Sequence, residues 1–319
     1  DHIAQYRNAV MHLPKNRNKM QQYKNHSLDE LMKMDIPSDL RHSPTNQEKY
    51  LQNLSGFFRW LGNNEYARKD LNVPFLGVAK KITAANEERE IYSREDLTKL
   101  FNSSQYCKGG HKDPFKFWVP LIGLLSGARE NEICQLHISD VHQDKETKIW
   151  VLDINQDDKE TTLKSLKRPT HARQIPIHLQ LLNLGFIDYI QRCEHSGEIR
   201  LFPELPYRGR NKYADKKQRW FNNTYTNSTN CNIKTLKNPF HSLRHNMATE
   251  LSNQNMQPHQ IAMMLGQKPD GGVTVTRYVK PPELKEWHEY LSKITYKDCI
   301  DFGRIRSWKH HDFAKNSRR

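Results

Sequence analysis

Cysteine is scarce, with five in 319 residues (Cys107, Cys134, Cys193, Cys231 and Cys299). The number is odd, the spacings are wide and no C-x-x-C occurs. That favours reduced thiols in a cytoplasm over a disulfide frame or a cysteine zinc site. Cys107 and His111 stand four apart with no second pair to answer them, so no metal is expected. No apolar run reaches the roughly eighteen residues of a membrane-spanning helix. The opening DHIAQYRNAV lacks the apolar core of a secretory signal. A Gly-rich nucleotide loop and internal repeats are also missing. Acid is short relative to base: 36 Asp and Glu face 50 Lys and Arg, for a net charge of +14. Such an excess makes a polyanion the first partner to consider, and nucleic acid the commonest one.

The length suggests two domains. Residues 1–82 read as helices with a basic rim. Ser27-Leu28-Asp29-Glu30 is a helix cap, and Pro44-Thr45 starts a longer helix. Its apolar residues Tyr50, Leu51, Leu54, Phe57, Phe58 and Leu61 recur at helical spacing until Gly62-Asn63-Asn64 stops it. Thr45, Lys49 and Arg59 fall on its polar positions. The charged stretch from Lys80-Lys81 to Arg89 reads as a linker. A second domain, 83–303, carries mixed signals, and a basic, mobile tail follows at 304–319.

In the second domain, FKFWVPLIGLL (Phe115–Leu125) is a core helix that ends at Ser126-Gly127-Ala128. Arg129 follows at the start of a new helix. A guanidinium there can face a cleft beside free helical N–H groups, which suits a phosphate. Pairing with a nearby carboxylate such as Glu132 is the competing account. Lys148–Ile154 and Arg173–Ile177 alternate like strands. Lys164, Lys167 and Arg168 lie in the polar stretch between them. Leu179–Cys193, Lys212–Thr226 and Glu283–Ile294 read as helices.

From Asn238 to Lys280 the chain reads NPFHSLRHNMATELSNQNMQPHQIAMMLGQKPDGGVTVTRYVK. Asn-Pro opens a helix on which Leu243, Met247 and Leu251 form the core stripe. His241, Arg244 and His245 collect on the adjoining face, an arrangement able to hold an anion. A second helix follows at Pro258–Leu265, then a Gly271-Gly272 turn and a β-branched segment ending in Arg277-Tyr278.

The order SGARENEICQL, hairpin lysine, HSLRH and TRYVK resembles the tyrosine recombinase (phage integrase) family across nearly the whole chain, and SPTNQEKYLQNLSGFFRWL is similar to that family's DNA-gripping helix. The resemblance implies a mainly α fold with a small antiparallel β-sheet, an α+β catalytic domain preceded by an all-α core-binding domain. It places the two catalytic arginines on Arg129 and Arg244, the histidine on His241 and the nucleophile on Tyr278. The catalytic lysine falls on Lys167, with Lys164 as rival. Where the family usually reads Leu-Gly-His, this chain has Leu265-Gly266-Gln267; Gln267 can donate a hydrogen bond but cannot carry a proton. Thr45, Lys49, Arg59, Lys80 and Lys81 are the candidate DNA contacts.

Cleavage of double-stranded DNA at paired sites through a 3′-phosphotyrosyl intermediate is therefore expected, by a homotetramer that needs neither metal nor cofactor. Relaxation by a type IB topoisomerase, or DNA binding without catalysis, is the alternative. The sequence starts at Asp1 and not at a methionine, which leaves room for a further N-terminal arm-binding domain.

Overall fold

The computed structural model describes residues 2–66, 91–156, 163–166, 171–227, 231–233, 239–268 and 281–316. The chain divides into two compact units, Asp1–Glu88 and Arg89–Arg319.

In the first unit the described residues form three α-helices: α1 (His2–His12), α2 (Leu28–Lys33) and α3 (Pro44–Asn63). The cap read at Ser27 is present, with its hydroxyl and the Glu30 carboxylate each accepting from the other residue's backbone N–H. Ser43 caps α3 and Pro44 occupies its first turn. Tyr23, Leu31 and Ile36 make a small core. On α3, Gln47, Leu51 and Gly62 are buried. Helical spacing puts Thr45, Lys49 and Arg59 on the opposite face, and all three are exposed.

The larger unit is built around α6 (Pro114–Ser126), which is buried from Phe117 to Ser126. It is preceded by α4 (Arg94–Phe101) and α5 (Ser104–Lys108) and followed by α7 (Glu130–Cys134). A three-stranded antiparallel sheet comes next, in the order β1 (Val141–Gln143), β2 (Trp150–Ile154), β3 (Arg173–Pro176). Its register pairs Val141 with Leu152 and Leu152 with Ile175. Strand β1 was not foreseen, because three residues are too few to display an alternation.

The helix expected over Leu179–Cys193 is two helices, α8 (Leu179–Asn183) and α9 (Phe186–His195). Gly185, at φ +86°, turns the chain between them. Likewise α10 (Asp215–Arg219) passes into a π-helical stretch, Trp220–Tyr225. Then come α11 (Pro239–Asn253), α12 (Pro258–Met264), α13 (Leu284–Lys293) and α14 (Asp312–Asn316). Helix α11 packs along α6. Its predicted stripe is inside: Leu243, Met247 and Leu251 are all buried.

The segment after 304 departs from the expectation of a mobile tail. Ile305, Trp308, Phe313 and Ala314 join the main core, and His311 is fully enclosed. The His311 ring stacks on His111 at 5.5 Å, and backbone bonds from Asp312 to Gly109 and from Phe313 to His111 fasten it. Basic composition hid this, because Trp308 and Phe313 carry the burial while Lys309 and His310 stay outside.

Candidate active site

Three guanidiniums converge on the end of α12. The helix stops in a Schellman motif: Gly266, at φ +62°, takes the left-handed position, Gln267 N–H donates to Ala262 O and Gly266 N–H to Met263 O. The carbonyls of residues 264, 265 and 266 then need other donors. Each finds an arginine. Arg173 Nε donates to Met264 O at 2.9 Å, Arg244 Nη2 to Leu265 O, and Arg129 Nη2 to Gly266 O at 2.5 Å. Cations at a helix C-terminus also face the favourable end of its dipole.

Glu132 holds two of the three. Its carboxylate accepts from Arg129 Nη1 at 2.7 Å and from Arg173 Nη2 at 2.9 Å, and it also accepts the Arg129 backbone N–H at 3.0 Å. Pairing of Arg129 with Glu132, the competing account of that arginine, is therefore present. It does not enclose Arg129, whose side chain stays 22% exposed. Burial alone would raise the Glu132 pKa, but Arg173 and Arg129 outweigh it and hold the group down to about 2.

Arg244 is the inner member. Its Nη1 donates to Gly127 O at 2.6 Å. Burial first, then the charges of Arg129 and Arg173, push its pKa down to about 9. Its Nε finds no acceptor among the described residues. An anion entering here would meet a destabilised positive charge with an unused donor. Gly127, at φ +64°, lets this turn pack closely on the core: a Cβ there would lie 2.5 Å from Leu265 Cδ2 and 3.0 Å from Met247 Cγ.

His241, one turn before Arg244, is exposed, and its ring meets His245 edge-on at 4.7 Å. Gln267 is exposed directly after the capped turn. Lys164, the rival for the catalytic lysine, is buried; its Nζ donates to both oxygens of Asp140 at 2.7 Å and to Asn155 Oδ1 at 2.9 Å. Three oxygens occupy its three protons, which fits an anchor better than a proton donor. Neighbouring bonds fix the same segment, with Leu163 N–H donating to Tyr213 Oη and Ser165 N–H to Gln135 Oε1. Lys167, Tyr278, Lys80 and Lys81 lie outside the described residues.

The structure thus brings together Arg129 and Arg244, with Gln267 following the same turn. It adds Arg173, to which the sequence reading gave no role, and Glu132, which that reading weighed only as a partner of Arg129. Arg173 had a signal, the Arg-x-x-Pro at the start of β3, and Glu132 had its position three residues after Arg129. Among the described residues no cluster of His, Cys, Asp and Glu could hold a metal ion.

The sequence model of the phage integrase family matches residues 96–282, more than half of the chain. The chain belongs to this family of tyrosine recombinases. No curated protein matches it. Among solved structures, XerA recombinase is 14% identical over 88% of this chain and 85% of that one, with a TM-score of 0.39. The integrase of mycobacterium phage Brujita is 14% identical over 83% and 78%, with a TM-score of 0.42. The Tn1549 transposon integrase, in complex with circular intermediate DNA, is 16% identical over 79% and 80%, with a TM-score of 0.47.

Proposed function

We propose that the protein is a site-specific DNA recombinase of a mobile element, an integrase that cuts and rejoins duplex DNA through a covalent tyrosyl intermediate. The observation that carries this reading is the convergence of Arg129 and Arg244 on one helix end, with the Arg244 Nε unpartnered among the described residues. A phosphodiester gathers negative charge on its oxygens as a fifth oxygen approaches, and two guanidiniums aimed at it supply the main stabilisation.

In the proposed step the Tyr278 phenol gives its proton to His241 and its oxygen bonds to phosphorus. The P–O5′ bond breaks, and the departing oxygen takes a proton from Lys167. A 3′-phosphotyrosine and a free 5′-hydroxyl result. Return of a 5′-hydroxyl reverses the step, so rejoining needs no nucleotide or other cofactor. Thr45, Lys49 and Arg59 on α3, with Lys80 and Lys81, would add phosphate contacts. Paired sites and four protomers belong to the same reading. No helix among the described residues is long and apolar enough to cross a membrane, and a DNA-associated location is proposed.

Gln267 supports a second reading, a DNA-binding relative of weak catalysis, since an amide cannot carry a proton. A suicide duplex nicked beside the mapped cleavage site separates the two. A covalent adduct that Tyr278→Phe abolishes supports the enzyme; tight binding without an adduct refutes it. Relaxation of supercoils without sequence preference would instead indicate topoisomerase activity.

A further inference from the structure

Beside Arg129 opens a cleft of about 290 Å³ to which Ser165, Arg210, Asn211 and Lys212 contribute. Two carboxylates also line it, but both are committed elsewhere. Glu130 pairs with the fully buried Lys217 at 2.7 Å, and Glu132 with Arg129 and Arg173. Among the described residues no carboxylate pairs with Arg210 or Lys212. Among the described residues the cleft therefore carries two positive charges without a carboxylate partner, next to Arg129.

The turn that bears them is braced. Arg208 N–H donates to Lys212 O at 3.0 Å, with Gly209 and Lys212 both in the left-handed region. Lys212 Nζ donates to Ser165 Oγ, a neutral partner that fixes the ammonium without cancelling its charge. Tyr213 is held by the Arg200 guanidinium, 4.4 Å over its ring, and by the Leu163 N–H at 3.2 Å. A fixed ammonium at Lys212 and an exposed guanidinium at Arg210, on a braced turn that lines the same cleft as Arg129, suit an anion.

We infer that Arg210 and Lys212 hold the DNA phosphate next to the one at Arg129. This rests on the reading that Arg129 takes the scissile phosphate. Phosphates along one strand are separated by about 3.4 Å of helix axis, so a strand docked on Arg129 must bring a neighbour close by. The cleft, which has Arg129 as its edge, is where that neighbour would meet compensating charge.

The test uses Arg210→Gln and Lys212→Asn; Asn removes the charge yet tolerates left-handed backbone. Binding of a labelled random-sequence duplex is measured across a potassium chloride series, with melting temperature as a check on folding. The double variant should lower the slope of log affinity against log salt by about one, the share of the single phosphate that the pair neutralises. An unchanged slope overturns the inference. As a test independent of variant folding, a neutral methylphosphonate is placed on either side of the scissile phosphate in the mapped site. At one position the wild type should weaken and the double variant should weaken no further; full additivity at both positions refutes the contact. Failure to form a Tyr278 adduct would count against the catalytic reading and leave the slope result standing. An intact adduct with an unchanged slope counts only against these two cations.

Discussion

Glu132 and Arg173 meet at 2.9 Å with both side chains almost closed to solvent, although 41 residues separate them in the chain. The same carboxylate holds Arg129 at 2.7 Å, so one acid orients two guanidiniums toward the end of α12. A buried acid between two bases is sensitive to loss of any member, since the remainder is left charged in low dielectric.

Glu132→Ala should cost about 3–5 kcal/mol of folding stability, the usual penalty for breaking a buried ion pair from one side. Urea unfolding followed by circular dichroism checks it. Glu132→Gln, which keeps some acceptor capacity, should fall less. A loss below about 0.5 kcal/mol for the alanine variant, the range of ordinary surface substitutions, would show that the pair is not a constraint.

Acid should act through the same residue. The Glu132 pKa is held near 2 against an ordinary 4.5, so its contribution is complete above about 4.5 and is lost as pH falls toward 2. Unfolding free energies measured between pH 5 and pH 2.5, the window that follows from the shift, should drop faster for wild type than for Glu132→Gln. The gap between the two proteins should therefore narrow with acid.

Gly266→Ala strains a left-handed position and drives a methyl against Arg173, with Nη1 at 2.5 Å and Cζ at 2.8 Å from the new carbon. The backbone strain alone is about 1–2 kcal/mol, and Arg173 must move as well. A lower melting temperature together with slower adduct formation is expected; a change in neither would show that this turn does not position the arginines.

The two hairpin lysines should separate cleanly. Lys164→Met leaves Asp140 buried without its cation and should destabilise the fold by about 3–5 kcal/mol. Lys167→Met should leave stability near wild type and slow cleavage by about 10²–10⁴-fold, the range of general-acid catalysis. A substrate with sulfur in place of the 5′-bridging oxygen needs no proton on departure and should restore the Lys167 variant. Failure of that rescue would remove Lys167 from the role.

Gln267→His supplies the proton-carrying group that the family's usual Leu-Gly-His provides at the same turn. Its side chain is exposed just beyond the Gly266 carbonyl that Arg129 holds, so the exchange needs no repacking. Cleavage should accelerate by about tenfold or more, with duplex affinity unchanged. Equal rates would mean that hydrogen bonding is all this position contributes.

Much of the fold was legible because helices announce themselves locally. Ser27 and Pro44 mark starts, the Leu243–Met247–Leu251 stripe marks a buried face, and Leu265-Gly266 marks a stop. The breaks inside Leu179–Cys193 and Lys212–Thr226 were missed, since a continuing apolar period carries no record of a turn at Gly185 or of π-helical winding. Trp308 and Phe313 were passed over within a basic stretch for a related reason: average composition obscures two large apolar side chains.

By itself the sequence determined several helix starts, the basic charge, and the order of arginine, lysine, histidine, arginine and tyrosine by which the family is known. Tertiary structure alone decided which polar groups meet. Arg129 reaches a carbonyl 137 residues away, Arg173 one 91 residues away, and Glu132 ties the two together. It also closed Lys164 over Asp140. Local spacing encodes periodicity along one element, whereas pairing and burial depend on how separate elements pack, and that is fixed only when the chain closes on its core.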